Sequence, residues 1–383
     1  MDLRLSEEQA QVRDLARDFV AKEVLPHVRE WDRAEAVDRG IVRKLGEVGF
    51  LGLTVPEAYG GSEGDHLAYC LVTEELGRGD SSVRGIVSVS LGLVAKTIAA
   101  AGDEEQKAHW LPRLTSGEAV GCFGLTEPDT GSDAGNLSTR AERVGGDWEI
   151  TGAKTFITNG TWADVIVLFA RTGGPGPKGV TAFLVPADSP GLERREIHGK
   201  LGLRGQATAE LAFDRVRVPD SARLGEEGQG FRIAMSALHK GRMSVAAGCV
   251  GIARGALEES LRYAGERQQF GRPIAGFQLV QEMLTEMAVE TDAARLLTWR
   301  VADLIDRGEP FATEASMAKL YASEAAVKAA NLSIQVFGGY GYLDEYPVGK
   351  FLRDARVMTL YEGTSQIQKL LIGRALTGVN AFA

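Results

Sequence analysis

Only three cysteines occur in the 383 residues, Cys70, Cys122 and Cys249, widely separated and without a C-x-x-C pair. That excludes a disulfide framework and suits a reducing compartment, so a cytoplasmic protein is expected. The five histidines, His27, His66, His109, His198 and His239, are as dispersed, and no clustered metal site is expected. An excess of basic residues is also missing. Lys and Arg number 43 against 52 Asp and Glu, a net charge of −9, which argues against a general nucleic-acid binder. The opening Met-Asp-Leu-Arg-Leu-Ser-Glu-Glu lacks the basic-then-apolar order of a secretory signal. Apolar runs such as 165–170 are too short to span a bilayer, so no membrane span is expected. Nucleotide loops are absent too. Residues 174–179 spell G-x-G-x-x-G, but Pro175 and Pro177 remove donors and a strand, not a helix, follows. There is no Walker lysine loop, kinase set, G-x-S-x-G elbow or H-E-x-x-H helix.

What is present is an ordinary globular composition, 44% hydrophobic and 25% charged, over a length that allows two or three structural units. From Leu5 to about Gly117 the pattern is helical. Ser6 with Gln9 forms a capping box, and Gln9, Val12, Leu15, Ala16 and Phe19 follow near a 3.6 period. Helical runs at 73–76, 91–101 and 104–114 are broken by Gly60-Gly61, Gly77 and Gly102. Near Val120 the period changes. Short segments at 147–151, 165–170, 180–185 and 211–218 are rich in Val, Ile, Phe and Thr and bounded by Gly, Pro and Asp, as strands at hairpin-like spacing are. After Gly230 long helices return. Phe231, Met235, Leu238, Arg242, Val245, Cys249 and Ile252 share one face; Leu284, Met287, Ala288, Ala294, Leu297, Val301, Leu304 and Ile305 share another, ending near Gly308.

Five stretches carry chemistry. Residues 122–135 (Cys-Phe-Gly-Leu-Thr-Glu-Pro-Asp-Thr-Gly-Ser-Asp-Ala-Gly) offer hydroxyls and free backbone N–H groups in a tight loop, able to hold phosphate or a polar ring edge. Residues 154–160 read as a strand and turn. Residues 266–274 place Arg267 and Arg272 near a helix end, where a guanidinium can clamp a diphosphate. Gly338, Gly339 and Gly341 would let backbone approach a ligand. Finally, Tyr361-Glu362-Gly363-Thr364 precedes a capping box of Ser365 and Gln368, with a helix expected to start near Gln366.

In order and spacing these stretches resemble the acyl-CoA dehydrogenase family over essentially the whole chain. The resemblance implies an α+β fold with an N-terminal helical domain (1–119), a middle antiparallel β domain (120–227) and a C-terminal four-helix-type bundle (228–383). It also implies FAD-dependent dehydrogenation of an acyl-CoA thioester to a trans-2-enoyl-CoA, with Glu362 taking the α-proton and flavin N5 the β-hydride. The electrons would go to an electron-transferring flavoprotein. A dehydrogenase of a carrier-protein-bound or unusual acyl thioester, a flavin oxidase or monooxygenase, and a non-catalytic assembly protein remain as alternatives on the same fold.

By the same resemblance, Phe123, Leu125, Thr126, Ser132, Phe156 and Thr158 line the flavin ring and near phosphate, Phe156 standing where many members carry Trp. Arg267, Phe270, Gln278, Gln335, Gly338 and Gly339 hold the adenosine diphosphate half across a subunit boundary, within a homotetramer. Thr364 and Gln366 also touch the cofactor. Ser132, His239, Arg242, Tyr361 and Gly363 fall on the acyl-CoA side, with a buried ion pair as the rival role for Arg242. Some members carry the base immediately before the position of Arg242; here that residue is Gly241, which leaves Glu362 as the candidate.

Overall fold

The computed structural model describes residues 4–381. Helix α1 (Glu7–Phe19) starts at the expected capping box: Ser6 Oγ accepts from the Gln9 N–H at 3.1 Å and Gln9 Oε1 from the Ser6 N–H at 2.9 Å. Helices α2 (Val28–Ala34), α3 (Gly40–Glu47) and α4 (His66–Gly79) follow, the last capped by Asp65. Gly77 does not break α4 as expected. It sits where α4 crosses a long later helix, and a Cβ there would lie 2.5 Å from the Gly248 carbonyl oxygen. Close helix crossing, not chain reversal, demands that glycine. Helix α5 (Ser81–Val89), a π-helical stretch (Ser90–Ala95) and α6 (Lys96–Ala101) run on as one rod, capped by Asp80. By length and composition Ser81–Ala101 could cross a membrane, but 83% of its most apolar stretch is buried in the fold, so it serves as a core helix. Helix α7 (Glu104–Thr115) carries its own capping box at Asp103 and Gln106.

The middle segment holds β1 (Gly121–Gly124), β2 (Arg140–Val144), β3 (Asp147–Thr158), β4 (Val165–Arg171), β5 (Val180–Pro186), β6 (Leu192–Glu196), β7 (Thr208–Val218) and β8 (Arg223–Leu224). They form one sheet in the order β6-β7-β3-β2-β4-β5-β8, with β1 also on β4. The antiparallel expectation needs correcting at one place: β1 runs parallel to β4, and β2 touches β4 in the same sense, so the sheet is mixed. The β2–β3 hairpin lies between β1 and β4 in sequence and returns the chain to the same end of the sheet. Alternation along β4 explains its unbroken apolar run. Val165, Val167 and Phe169 join the helical core, while Ile166, Leu168 and Ala170 join a second core with Phe183, Leu211 and Phe213. The letters G-x-G-x-x-G fall in a loop and a short 3₁₀ turn (Pro177–Gly179) leading into β5, as expected.

The C-terminal segment contains α8 (Gly230–Glu266), a small hairpin of β9 (Gln268–Gln269) and β10 (Arg272–Pro273), then α9 (Gln278–Asp306), α10 (Ala312–Phe337), α11 (Val348–Met358) and α12 (Ser365–Thr377). Helix α9 stops before Gly308, whose φ is 68°. A charge network ties the two helical segments together: Arg254 pairs with Glu74 and Glu75 at 2.7 and 2.6 Å, Arg295 with Glu74 at 3.0 Å and Arg17 with Glu75 at 3.3 Å.

Candidate active site

Glu362 lies in the short loop between α11 and α12. Its φ of 52° and the 92° of Gly363 place two successive residues in left-handed backbone. A non-glycine residue held there stores strain that the surroundings must enforce. The enforcement comes from three hydrogen bonds made by two side chains. Gln368 Nε2 donates to the carbonyls of Glu362 and Gly363 at 3.1 and 3.0 Å, and Lys319 Nζ donates to the Gly363 carbonyl at 2.8 Å. The capping expectation is corrected here: α12 starts at Ser365 and its cap is Thr364, whose Oγ1 accepts from the Ile367 N–H at 3.2 Å. Gln368 therefore serves the loop instead of a capping box, and Ser365 Oγ donates to Glu324.

The Glu362 residue as a whole is partly exposed, yet its Oε2 is sealed from solvent and has no hydrogen-bond partner. The carboxyl occupies space left by Gly241 on α8, where a Cβ would lie 2.2 Å from Oε2. Burial pushes the carboxyl up to about 7, against the opposing pull of Arg84, Lys319 and Arg242. Arg242 is buried, donates to Ser316 Oγ at 3.2 Å and leaves Nε unpartnered. Among the described residues it forms no ion pair, so the rival role for Arg242 is not what the fold uses. Tyr361 is held by Arg84, whose Nη2 donates to the phenol at 2.5 Å. His239 lies one turn before Arg242 on the same helix, half-buried, and burial with the nearby Arg242 and Arg374 charges lowers its pKa. The imidazole is thus neutral at neutral pH.

A second group gathers at the sheet. Phe123 ends in β1, Leu125 and Thr126 follow it, and the Thr155 N–H donates to the Thr126 carbonyl at 2.9 Å, so this loop lies beside Phe156 and Thr158 in β3. Phe156 has a φ of 57° at a shift of register between β3 and β7, and its ring is 69% exposed. Ser132 is exposed in the loop beyond. Beneath the loop, Lys154 is fully buried and donates to Glu127 at 2.8 Å and to the Leu125 carbonyl at 3.2 Å. Glu127 also accepts from the Ser138 and Thr139 N–H groups at 2.5 and 2.9 Å.

A third group forms a cleft of about 510 Å³ at the end of the bundle, lined by Arg267, Gly338, Gly339, Tyr340 and Phe337, and by no residue of the sheet group. Gly338 has a φ of 61°, and a Cβ on Gly338 or Gly339 would meet nothing within 4 Å. Gln278 and Gln335 are exposed, and Phe270 at the hairpin tip is 93% exposed.

Three family descriptions match in tandem: acyl-CoA dehydrogenase N-terminal domain over residues 6–118, middle domain over 122–216 and C-terminal domain over 228–377. The chain belongs to the acyl-CoA dehydrogenase family. It is 43% identical over 371 residues to the human mitochondrial short-chain specific acyl-CoA dehydrogenase, covering 97% of this chain and 90% of that protein. Butyryl-CoA dehydrogenase from Megasphaera elsdenii has the same fold, with a TM-score of 0.96, 39% identity and coverage of 98% and 100%. A chain solved in work on the electron transferring flavoprotein of Acidaminococcus fermentans matches at a TM-score of 0.97 and 42% identity, covering 98% and 100%.

As an acyl-CoA dehydrogenase the protein is a FAD-dependent oxidoreductase. The residues present fit that cofactor. Gly338 and Gly339 present bare backbone to an open cleft that also holds the Arg267 guanidinium, and the exposed Phe156 ring offers a flat apolar face beside Thr126 and Thr158. Thr364 is engaged as a helix cap and Gln366 is exposed. Three residues of this dehydrogenase escaped the sequence reading: Lys319, Arg84 and Lys154. Each is a cation inside an otherwise apolar or small-residue run, which is the one signal that marks them.

Proposed function

We propose that the protein removes the α-proton and β-hydride of a short-chain acyl-CoA, giving the trans-2-enoyl-CoA, with Glu362 as the base. The observation that carries this reading is a carboxyl oxygen sealed from water, unpartnered, and raised to about 7. A base poised near working pH is what α-proton removal beside a thioester needs. The Glu362 N–H has no hydrogen-bond partner among the described residues, and in this reading it donates to the thioester oxygen as negative charge grows there. Gly363 keeps the substrate side of the loop free of a side chain, and Arg242 and Tyr361 bound the acyl group. FAD, when bound, accepts the departing hydride and passes the electrons on, in this reading to an electron-transferring flavoprotein. Resemblance in length and identity to short-chain and butyryl-CoA enzymes supports a short acyl group.

The test is anaerobic titration of the yellow holoenzyme with butyryl-CoA and longer esters while flavin absorbance is followed. Bleaching by short esters is expected; no bleaching by any ester overturns the reading. Because only ionised Glu362 can take the proton, kcat/KM rises with pH by up to about tenfold per unit below the pKa and levels off above it, with an apparent pKa near 7. A profile that is flat between about pH 5.5 and 8.5 rules out a base of that pKa.

Phe270, Gln278 and Gln335 do not line the Arg267 cleft but are exposed on the same C-terminal segment, next in sequence to its lining residues Gln269 and Val336 or, for Gln278, four residues after Ile274. This supports an adenosine diphosphate half held by one subunit and a flavin half held by its neighbour, in a homotetramer. Arg267→Ala is then expected to weaken FAD about 10- to 100-fold, the value of a charge-assisted hydrogen bond. It also shifts the oligomer toward smaller species, and excess FAD reverses that shift by mass action. Sedimentation with and without FAD checks both. A monomeric wild type that retains FAD contradicts the shared site.

A further inference from the structure

The letters G-x-G-x-x-G at residues 174–179 form no phosphate loop, and the fold gives them a different task. A phosphate loop turns backbone N–H groups outward to an anion. Here carbonyls turn inward to a cation. Arg171, half-buried at the end of β4, donates from Nη1 to the Gly174 and Gly176 carbonyls at 2.6 and 3.1 Å. Both carbonyls belong to glycyl-prolyl peptides, which have no N–H of their own. The same guanidinium reaches a second loop: Nε donates to the Leu137 carbonyl at 3.0 Å and Nη2 to the Gly135 carbonyl at 2.9 Å. Among the described residues Arg171 meets no carboxylate, so four main-chain carbonyls are what hold its charge.

The turn between β4 and β5 does not need this arginine. It is already closed by the Thr172 and Gly173 N–H groups on the Gly179 carbonyl, at 2.9 and 3.1 Å, and by the Thr172 and Thr181 hydroxyls at 2.8 Å. What Arg171 adds is the link to Gly135 and Leu137, 36 and 34 residues away in the chain. A planar fork of five donors can serve two loops at once, which a compact ammonium does poorly. The linked segment lies against the start of α8: a Cβ on Gly135 would stand 3.2 Å from Pro177 Cγ and 3.7 Å from the Phe231 ring. Phe231 is in the first turn of that helix, whose Arg242 bounds the acyl group in the proposed reaction. The segment also presents the exposed Ser132, whose N–H, like those of Ala134 and Gly135, has no partner among the described residues. We propose that Arg171 is a positioning residue for the acyl-CoA: it fixes segment 132–137 at the head of α8 and so sets where the coenzyme A arm runs. This rests on the dehydrogenase reading and adds what fixes the coenzyme A end of the substrate. Arg171 governs substrate affinity and leaves the proton and hydride steps alone.

The competing explanation is that Arg171 only stiffens the sheet, in which case the length of the substrate is irrelevant to it. The two separate in one experiment on holoenzyme with FAD in excess. Wild type and Arg171→Gln are compared on butyryl-CoA and on the S-butyryl thioester of N-acetylcysteamine, which keeps the reacting end but lacks the arm beyond it. A non-reactive thioether analogue of butyryl-CoA, whose binding shifts the flavin spectrum, is titrated in parallel. Arg171→Gln is expected to raise KM for butyryl-CoA and the Kd of the analogue about tenfold, the value of one charge-assisted hydrogen bond, with kcat within about twofold. Its kcat/KM on the truncated thioester stays within about twofold of wild type. Arg171→Lys, which keeps the charge but not the fork, recovers only part of the affinity, and it carries the comparison if the glutamine variant does not fold. Equal loss on both thioesters overturns the proposal, as does an unchanged KM for butyryl-CoA or a fall in kcat alone. If the wild type binds the analogue but no ester reduces its flavin, the dehydrogenase reading falls, and the ratio of analogue affinities still decides the role of Arg171.

Discussion

Glu362→Gln is expected to lower kcat/KM for the best acyl-CoA by about 10²- to 10⁴-fold while acyl-CoA still binds and FAD stays in place. The amide keeps the shape that fills the space at Gly241 but cannot accept a proton. Stopped-flow flavin reduction measures the loss directly, and an unchanged reduction rate identifies a different base. The same substitution has a second, opposite signature. The carboxyl pKa stands at about 7 in the folded protein against an ordinary 4.5, so the folded state holds the proton more tightly than the unfolded chain. Its contribution to stability is therefore full below about pH 4.5 and lost as pH rises through 7. At pH 8 the wild type carries an ionised buried carboxylate that the amide does not. Glu362→Gln is then expected to melt at a higher temperature at pH 8, by at most about 3 kcal/mol in stability, and to lose that advantage at pH 5. An inactive enzyme that is also the more stable one is the mark of a site strained for function.

Lys154→Met is expected to cost about 3–5 kcal/mol, the usual result of stranding one member of a buried pair. Burial works against the charge of both partners. It brings Lys154 down to about 8 despite Glu127. For Glu127 the attraction of Lys154 and the Thr139 and Ser138 donors prevails, and the carboxyl falls to about 2. Glu127 thus lends stability above about pH 4.5 that is lost as pH falls through 2, so the damage done by Lys154→Met is greatest near neutrality. Urea unfolding at pH 7 checks the size. Glu127→Gln combined with Lys154→Met restores much of the loss, because no charge is then left buried. A double variant no better than the single one shows that Lys154 matters through packing alone. Because Lys154 also holds the Leu125 carbonyl, the single variant is expected to release FAD more readily than wild type.

Glu362 was singled out through the family resemblance of the stretch Tyr361-Glu362-Gly363-Thr364, which is local in sequence. Long-helix faces were legible for the same reason: a 3.6 period needs no knowledge of the partner helix. What escaped depends on contacts between distant segments. Gly77 reads as a break until its contact with Gly248 is known, and Arg84 was passed over because its burial depends on the segments packed around α5. Strand β1 has two glycines in four residues and β2 is largely polar, so neither carries a strand pattern of its own. The cap of α12 fell to Thr364 and not Ser365 because Gln368, needed for the box, is drawn to the Glu362 and Gly363 carbonyls. The left-handed backbone of Phe156 has no sequence marker, since aromatic residues rarely adopt it.

The contact between Gly241 and Glu362 also constrains how such a site can change over generations. The family resemblance implies a base on either of two segments, and in this chain the space for one is the space taken by the other: even a methyl group on Gly241 would stand 2.2 Å from Oε2. With Glu362 as the base, as proposed, gaining a carboxylate on the helix first would crowd and repel it, and losing the loop carboxylate first would leave no base. Neither order passes through an active intermediate, so the two arrangements are separated by a double change. Descendants of this chain are thereby held to the loop base, whatever acyl tail they come to accept.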